Sequence, residues 1–100
     1  MCGICGVVAN QSGAPLDEGQ LTRMRDTLAH RGPDDAGLHL GPGVALGCRR
    51  LSIVDLSPNG HMPMCSADRR YWIVHNGEVF NYRELRADLI GRGVHFRSNT

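Results

Sequence analysis

The first apolar run, Ile4 to Ala9 within MCGICGVVA, is rich in β-branched residues and interrupted by glycine, which predicts a buried strand over Met1 to Ala9. A turn cluster spans Asn10 to Pro15. Leu21, Met24 and Leu28 then recur at i, i+3 and i+7, the one-sided spacing of a helix running from Leu16 to Ala29. Asp17 and Gln20 form a capping box, Leu16 and Leu21 stand at the staple positions, and Gly32-Pro33 ends the element. Two short runs, Leu38 to Leu40 and Val44 to Leu46, flank Gly41-Pro42-Gly43 and predict a hairpin with a loose turn. Leu51 to Asp55 alternates like a half-buried strand or extended segment, and Ser57 to Pro63 reads as loop. Tyr71 to His75 has the strongest strand propensity of the chain. A second helix follows, with Asn81 and Glu84 as capping box, Phe80 and Leu85 as staple, and Gly91 and Gly93 closing it. Val94 to Arg97 begins another strand. Strands interrupted by two helices predict a layered α/β or α+β domain without repeats or low-complexity linkers.

Composition narrows the field. With 41% apolar residues and 13 glycines in 100, the chain is globular in character and holds at most one domain. No apolar run approaches the ~20 residues that span a bilayer, and no basic residue precedes Ile4 as a signal peptide would require. The expected compartment is the cytoplasm, with no membrane partner. Eleven basic against ten acidic residues leave a net charge of +1, which argues against a dedicated nucleic-acid surface. Every basic residue is arginine, so neither a Schiff base nor a lysine base can operate. A chain of this length buries only about 60–70% of its unfolded surface. It stops at Arg97-Ser98-Asn99-Thr100 just after an apolar turn, and a fragment of something longer is expected.

Four clusters carry candidate chemistry. Cys2 and Cys5 form a Cys-x-x-Cys pair, readable as a redox motif, as half of a metal site, or as two small buried hydrophobes. A fourth reading is nucleophilic. Removal of Met1 leaves Cys2 with a thiol and a free α-amine, groups that both titrate within about two units of neutrality. Cys5 is then core. The Arg49-Arg50 pair before Leu51-Ser52-Ile53 is either a solvated edge or a guanidinium fork for a carboxylate. His75-Asn76-Gly77-Glu78 is either a plain turn or a pair of oxyanion donors, the Asn76 amide and the Gly77 backbone N–H. His30-Arg31-Gly32-Pro33-Asp34 reads as a helix C-terminus, or else as a loop lining a site. The histidines lack zinc-ligand spacing, and no metal site is expected.

Taken in order, MCGICG at the start, His30 to Asp34, Arg50-Leu51-Ser52-Ile53-Val54-Asp55 and Asn76-Gly77-Glu78-Val79-Phe80-Asn81 resemble the N-terminal glutamine-hydrolysing domain of asparagine synthetases. The resemblance covers residues 2 to 100. It implies an α+β N-terminal-nucleophile hydrolase fold, a four-layer αββα sandwich of antiparallel sheets, here incomplete. It further implies that Cys2 attacks the side-chain amide of glutamine, that Asn76 and Gly77 are the oxyanion donors, and that Arg50 clamps the substrate carboxylate. Leu51, Ser52, Ile53, Val54 and Glu78 would join Arg50, Asn76 and Gly77 in lining the glutamine pocket. The chain would be the N-terminal portion of a glutaminase domain, needing no cofactor in this segment. A C-terminal synthetase domain of the same chain, using ATP and magnesium, would take the ammonia, and a homodimer is one candidate assembly. Alternatives are an amidotransferase of the same fold with another acceptor, a Cys-x-x-Cys redox or metal module, or a silent domain that keeps Met1.

The chain departs from that pattern in places. Cys48 stands where the family often has His, Met62 where it commonly has Gln, and His75 where an aromatic often precedes Asn-Gly. The family's acidic residue for the substrate α-amine would fall immediately after Thr100.

Overall fold

A computed structural model describes residues 1–9, 16–53 and 55–98. Its main sheet has three antiparallel strands: β1 (Gly3–Val8), β2 (Asp35–Gly41) and β3 (Val44–Arg50), with β3 in the centre. Helix α1 (Glu18–Asp26) connects β1 to β2 and lies against the sheet. A two-stranded ribbon, β4 (Met64–Cys65) and β5 (Trp72–Ile73), and a second helix, α2 (Tyr82–Gly91), complete the order. Antiparallel sheets with two helices make the architecture α+β.

Register decides which residues share a face, because directly paired residues point the same way. Cys5, Gly47 and Leu38 lie in one row across the sheet. A Cβ placed on Gly47 would meet Cys5 Sγ at 2.8 Å, Leu38 Cδ2 at 3.3 Å and Arg25 Cβ at 3.4 Å, so this is the face that α1 covers. Ile4, Cys48 and Gly37 form the neighbouring row and point the opposite way. Leu21 is 2% exposed and anchors α1; burying such a side chain contributes about 1.5–3 kcal/mol. Among the described residues the buried apolar core is small: Leu21, Ala45 and Cys48. The Cα radius of gyration, 14.9 Å, exceeds the roughly 13 Å of a compact chain this long.

Several expectations change at the level of elements. β1 is half-buried rather than buried, because only one of its faces is covered; Val8 is 80% exposed. The turn cluster at Asn10 to Pro15 lies outside the described residues. Asp17 caps α1 as expected, accepting from the Gly19 N–H at 2.9 Å, but the helix ends at Asp26 and not at Ala29. Thr27 to Arg31 continues as turn, held by bonds such as Arg31 N–H to Leu28 O at 2.9 Å. The hairpin between β2 and β3 is confirmed, but its turn is tight: Gly41 pairs with Val44, leaving two residues. Pro42 presets the first of these, and Gly43 supplies the φ of +74° that the second requires. Of the two readings of Leu51 to Asp55, strand or extended segment, the strand is not found among its described residues.

The expected strand at Tyr71 to His75 shrinks to Trp72–Ile73, because its partner offers only Met64–Cys65. Asn81 stands at the N-cap of α2 but makes no side-chain cap bond. Its φ of −95° and ψ of 27° are outside the extended region from which a cap side chain reaches back to the first turn. Phe80 is 91% exposed, so it does not form the expected staple over Leu85. The C-terminus of α2 closes more firmly. Val94 N–H reaches Leu89 O at 3.0 Å and Gly93 N–H reaches Ile90 O at 3.0 Å, the paired bonds of a Schellman motif. Val94 to Arg97 is irregular, not a strand. No described helix is long and apolar enough to cross a membrane.

Candidate active site

Cys2 precedes β1 by one residue, so its side chain leaves the sheet on the side opposite Cys5 and shares the side of Cys48. Its sulfur is half-buried against one residue. Leu51 N–H donates to Cys2 Sγ at 3.4 Å, and the Cys2 thiol donates to Leu51 O at 3.7 Å. Sulfur bonds run longer than oxygen ones because the atom is larger. Together the two contacts hold the side chain in one orientation.

The loop after α1 brackets this pair. Arg31 Nε donates to Cys2 O at 3.2 Å. Asp34 N–H donates to Arg50 O at 3.0 Å, while Asp34 Oδ2 accepts from Ser52 N–H at 2.8 Å. Asp34 thus grips the backbone on both sides of Leu51, the residue whose amide meets the sulfur. Arg49 Nε donates to Gly32 O at 3.0 Å and ties β3 to the same loop. His30-Arg31 has the charges of a helix C-terminus, but α1 stops at Asp26 and Arg31 reaches Cys2 instead. Arg31 and Asp34 were missed as individual residues. The available signal was the Arg-Gly-Pro-Asp run itself, whose reading as a loop beside the site describes what is found.

Arg50 ends β3 and turns its guanidinium onto the following loop. Nη1 donates to Ser57 O at 3.1 Å and Nη2 donates to Asp55 O. A guanidinium carries five N–H donors, and these bonds use two of them. Asp55 Oδ1 in turn accepts from Ser57 N–H at 2.8 Å, which shapes the loop that Arg50 holds. Ser52 is half-buried, Ile53 is exposed, and Val54 lies outside the described residues.

Asn76, Gly77 and Glu78 follow β5, with Asn76 half-buried and the other two exposed. Among the described residues no hydrogen bond joins them to Cys2, Arg50 or Leu51. They reach the sheet through their neighbours. His75 N–H donates to Met62 Sδ at 3.3 Å, and Trp72 stacks on His39 of β2 with ring centroids 3.5 Å apart. The structure therefore seats Cys2 on Leu51, turns the Arg50 guanidinium onto the 55–57 loop, and hangs the 76–78 segment from the same sheet by a separate route.

The other cysteines have a different character. Cys48 is 1% exposed, and burial pushes its thiol up to about 11, with Cys2, Asp35 and Cys5 adding to the shift and Arg50 opposing it. Burial also raises the Cys5 thiol, partly offset by the Arg25 charge. Cys2 and Cys5 leave β1 on opposite faces, so the Cys-x-x-Cys pair cannot close on itself or share an ion. All four cysteines are free, and no group of three His, Cys, Asp or Glu converges among the described residues.

Residues 1–100 match the model of the glutamine amidotransferase domain. The chain is 39% identical over its whole length to a glutamine-hydrolysing asparagine synthetase of Bacillus subtilis, of which it covers 16%. It is 35% identical to a putative asparagine synthetase of Methanocaldococcus jannaschii, over 86% of this chain and 20% of that protein. A plant relative from Triphysaria versicolor is 36% identical over 89% of this chain and 15% of its own length. The chain thus spans about a sixth of the length of most of these relatives. The chain belongs to the glutamine amidotransferase domain family, an enzyme family, and within it is similar to the glutamine-hydrolysing asparagine synthetases.

Proposed function

We propose that this chain is the nucleophile-bearing portion of a glutaminase domain that hydrolyses glutamine to glutamate and ammonia. With Met1 removed, the Cys2 α-amine is unblocked. The Cys2 sulfur attacks the side-chain amide carbon of glutamine, a C–S bond forms, and the C–N bond breaks. The α-amine carries the thiol proton to the departing ammonia, and water then hydrolyses the thioester. Splitting amide hydrolysis into two acyl transfers lowers each barrier. The Asn76 amide and Gly77 N–H are the donors for the oxyanion. Arg50 takes the substrate carboxylate with the donors its loop bonds leave over. Leu51, Ser52, Ile53, Val54 and Glu78 line the pocket with them.

The observation that carries this reading is the seating of the Cys2 sulfur on the Leu51 backbone, one residue from Arg50, in a chain of this family. The fold of the complete domain is proposed as the four-layer αββα sandwich of N-terminal-nucleophile hydrolases, with the β1–β3–β2 sheet as part of one of its layers. Relatives named as glutamine-hydrolysing asparagine synthetases support a synthetase domain of the same chain as the consumer of the ammonia, and ATP and magnesium are proposed for that domain. No residue of this chain is assigned to those groups. A homodimer is proposed as the assembly, and the cytoplasm as the compartment.

The test uses the full-length protein. Cys2→Ala should abolish glutamate release from glutamine while product formation from added ammonium salt persists. Undiminished glutamine hydrolysis in that variant would overturn the proposal.

A further inference from the structure

We infer that Met62 is a positioning residue for the oxyanion donors, an inference that rests on the roles given above to Asn76 and Gly77. Two contacts fix the 61–63 segment on β2. His61 Nδ1 meets Asp35 Oδ2 at 2.6 Å. Met62 O lies against Gly37 so closely that a Cβ there would collide with it. Pro63 is buried. From that base the Met62 thioether reaches across and accepts the His75 N–H at 3.3 Å, one residue before Asn76. His75 passes the constraint on, since its Nε2 lies 2.9 Å from where a Cβ on Gly77 would stand. A second tie to the sheet among the described residues, Trp72 on His39, acts three residues before His75. Of these two, Met62 is the anchor nearer the donors, and it links them to the strand row that runs from Gly37 through Cys48 to Ile4.

A thioether is a weak acceptor, so the expected effect is modest and specific. In the full-length protein, Met62→Leu keeps volume and removes the acceptor, whereas Met62→Gln keeps an unbranched chain and restores an acceptor oxygen. The Leu variant should lower kcat for glutamine hydrolysis about three- to tenfold with KM unchanged, as an interaction felt only in the transition state requires. Amide hydrogen exchange at His75 should speed up. The Gln variant should recover both. Unchanged kcat and unchanged His75 exchange in the Leu variant would overturn the inference, and so would failure of Gln to rescue. If Asn76→Ala also leaves kcat intact, the oxyanion assignment itself falls; if Asn76→Ala is slow and Met62→Leu is not, Met62 alone is excluded.

Discussion

Leu51 offers both of its main-chain polar groups to Cys2, its N–H donating to the sulfur at 3.4 Å and its carbonyl accepting from the thiol at 3.7 Å. A side chain met from two directions by one peptide segment has little rotational freedom left. Since Asp34 holds Arg50 O and Ser52 N–H on either side, the orientation of the sulfur depends on a loop sixteen or more residues away in sequence. The glutaminase chemistry proposed above needs such an arrangement, because effective attack requires the reacting atoms about 3–3.5 Å apart and aligned.

Asp34→Ala should therefore slow acylation of Cys2 although Asp34 touches no reacting atom. Losing one hydrogen bond to a carboxylate on an exposed loop is worth about 1 kcal/mol, roughly fivefold in kcat/KM. Asp34→Asn keeps an acceptor for Ser52 N–H and should retain most activity. Steady-state glutaminase assays of the two variants check this.

Asn76→Ala should lower kcat about 100- to 1,000-fold, the usual cost of one oxyanion donor, and leave KM nearly unchanged. A loss confined to KM would contradict the assignment. Single-turnover release of ammonia from glutamine measures the step directly.

Arg50→Lys replaces a planar fork with a point charge of three donors. KM for glutamine should rise about tenfold, and the loop carrying Asp55 and Ser57 should loosen because the two carbonyl bonds diverge from one another. Titration with glutamine and amide exchange at Ser57 report the two effects separately.

Thiol labelling should discriminate among the cysteines by pH. With its thiol at about 11, Cys48 has roughly one thiolate in a thousand at pH 8, and it is also 1% exposed. Iodoacetamide at pH 8 should modify Cys2 well before Cys48, as peptide mass mapping would show. A raised value means less thiolate at any pH below it, so the contrast narrows only as pH climbs toward that value. Early labelling of Cys48 would mean that the sheet face over it opens.

Local patterns proved legible wherever a segment's own residues decide its conformation. The Asp17 cap and the glycine stop at Gly93 concern atoms within a turn of one another. The hairpin at Pro42-Gly43 is equally local. Of the expected face Leu21, Met24 and Leu28, by contrast, only Leu21 is buried in the helix, with Met24 exposed and Leu28 in the following turn. Segments whose state depends on a partner were misread. Tyr71 to His75 has ample strand propensity, but a strand is only as long as the edge it pairs with, and Met64–Cys65 is short. Arg31 has the charge for a helix C-terminus, but the helix ends early and the side chain bonds to Cys2 O instead.

The amino-acid order by itself determined the alternation of strands and helices, the candidate nucleophile at Cys2 and the segments able to surround it, because these follow from residue chemistry and short-range periodicity. Only tertiary structure decided that Cys2 shares its sheet face with Cys48, that Leu51 and not another residue meets the sulfur, and that Met62 tethers the Asn76 segment. The physical reason is register. Pairing β1 against β3 fixes which face each of their side chains shares, and that alignment arises from contacts between residues far apart along the chain.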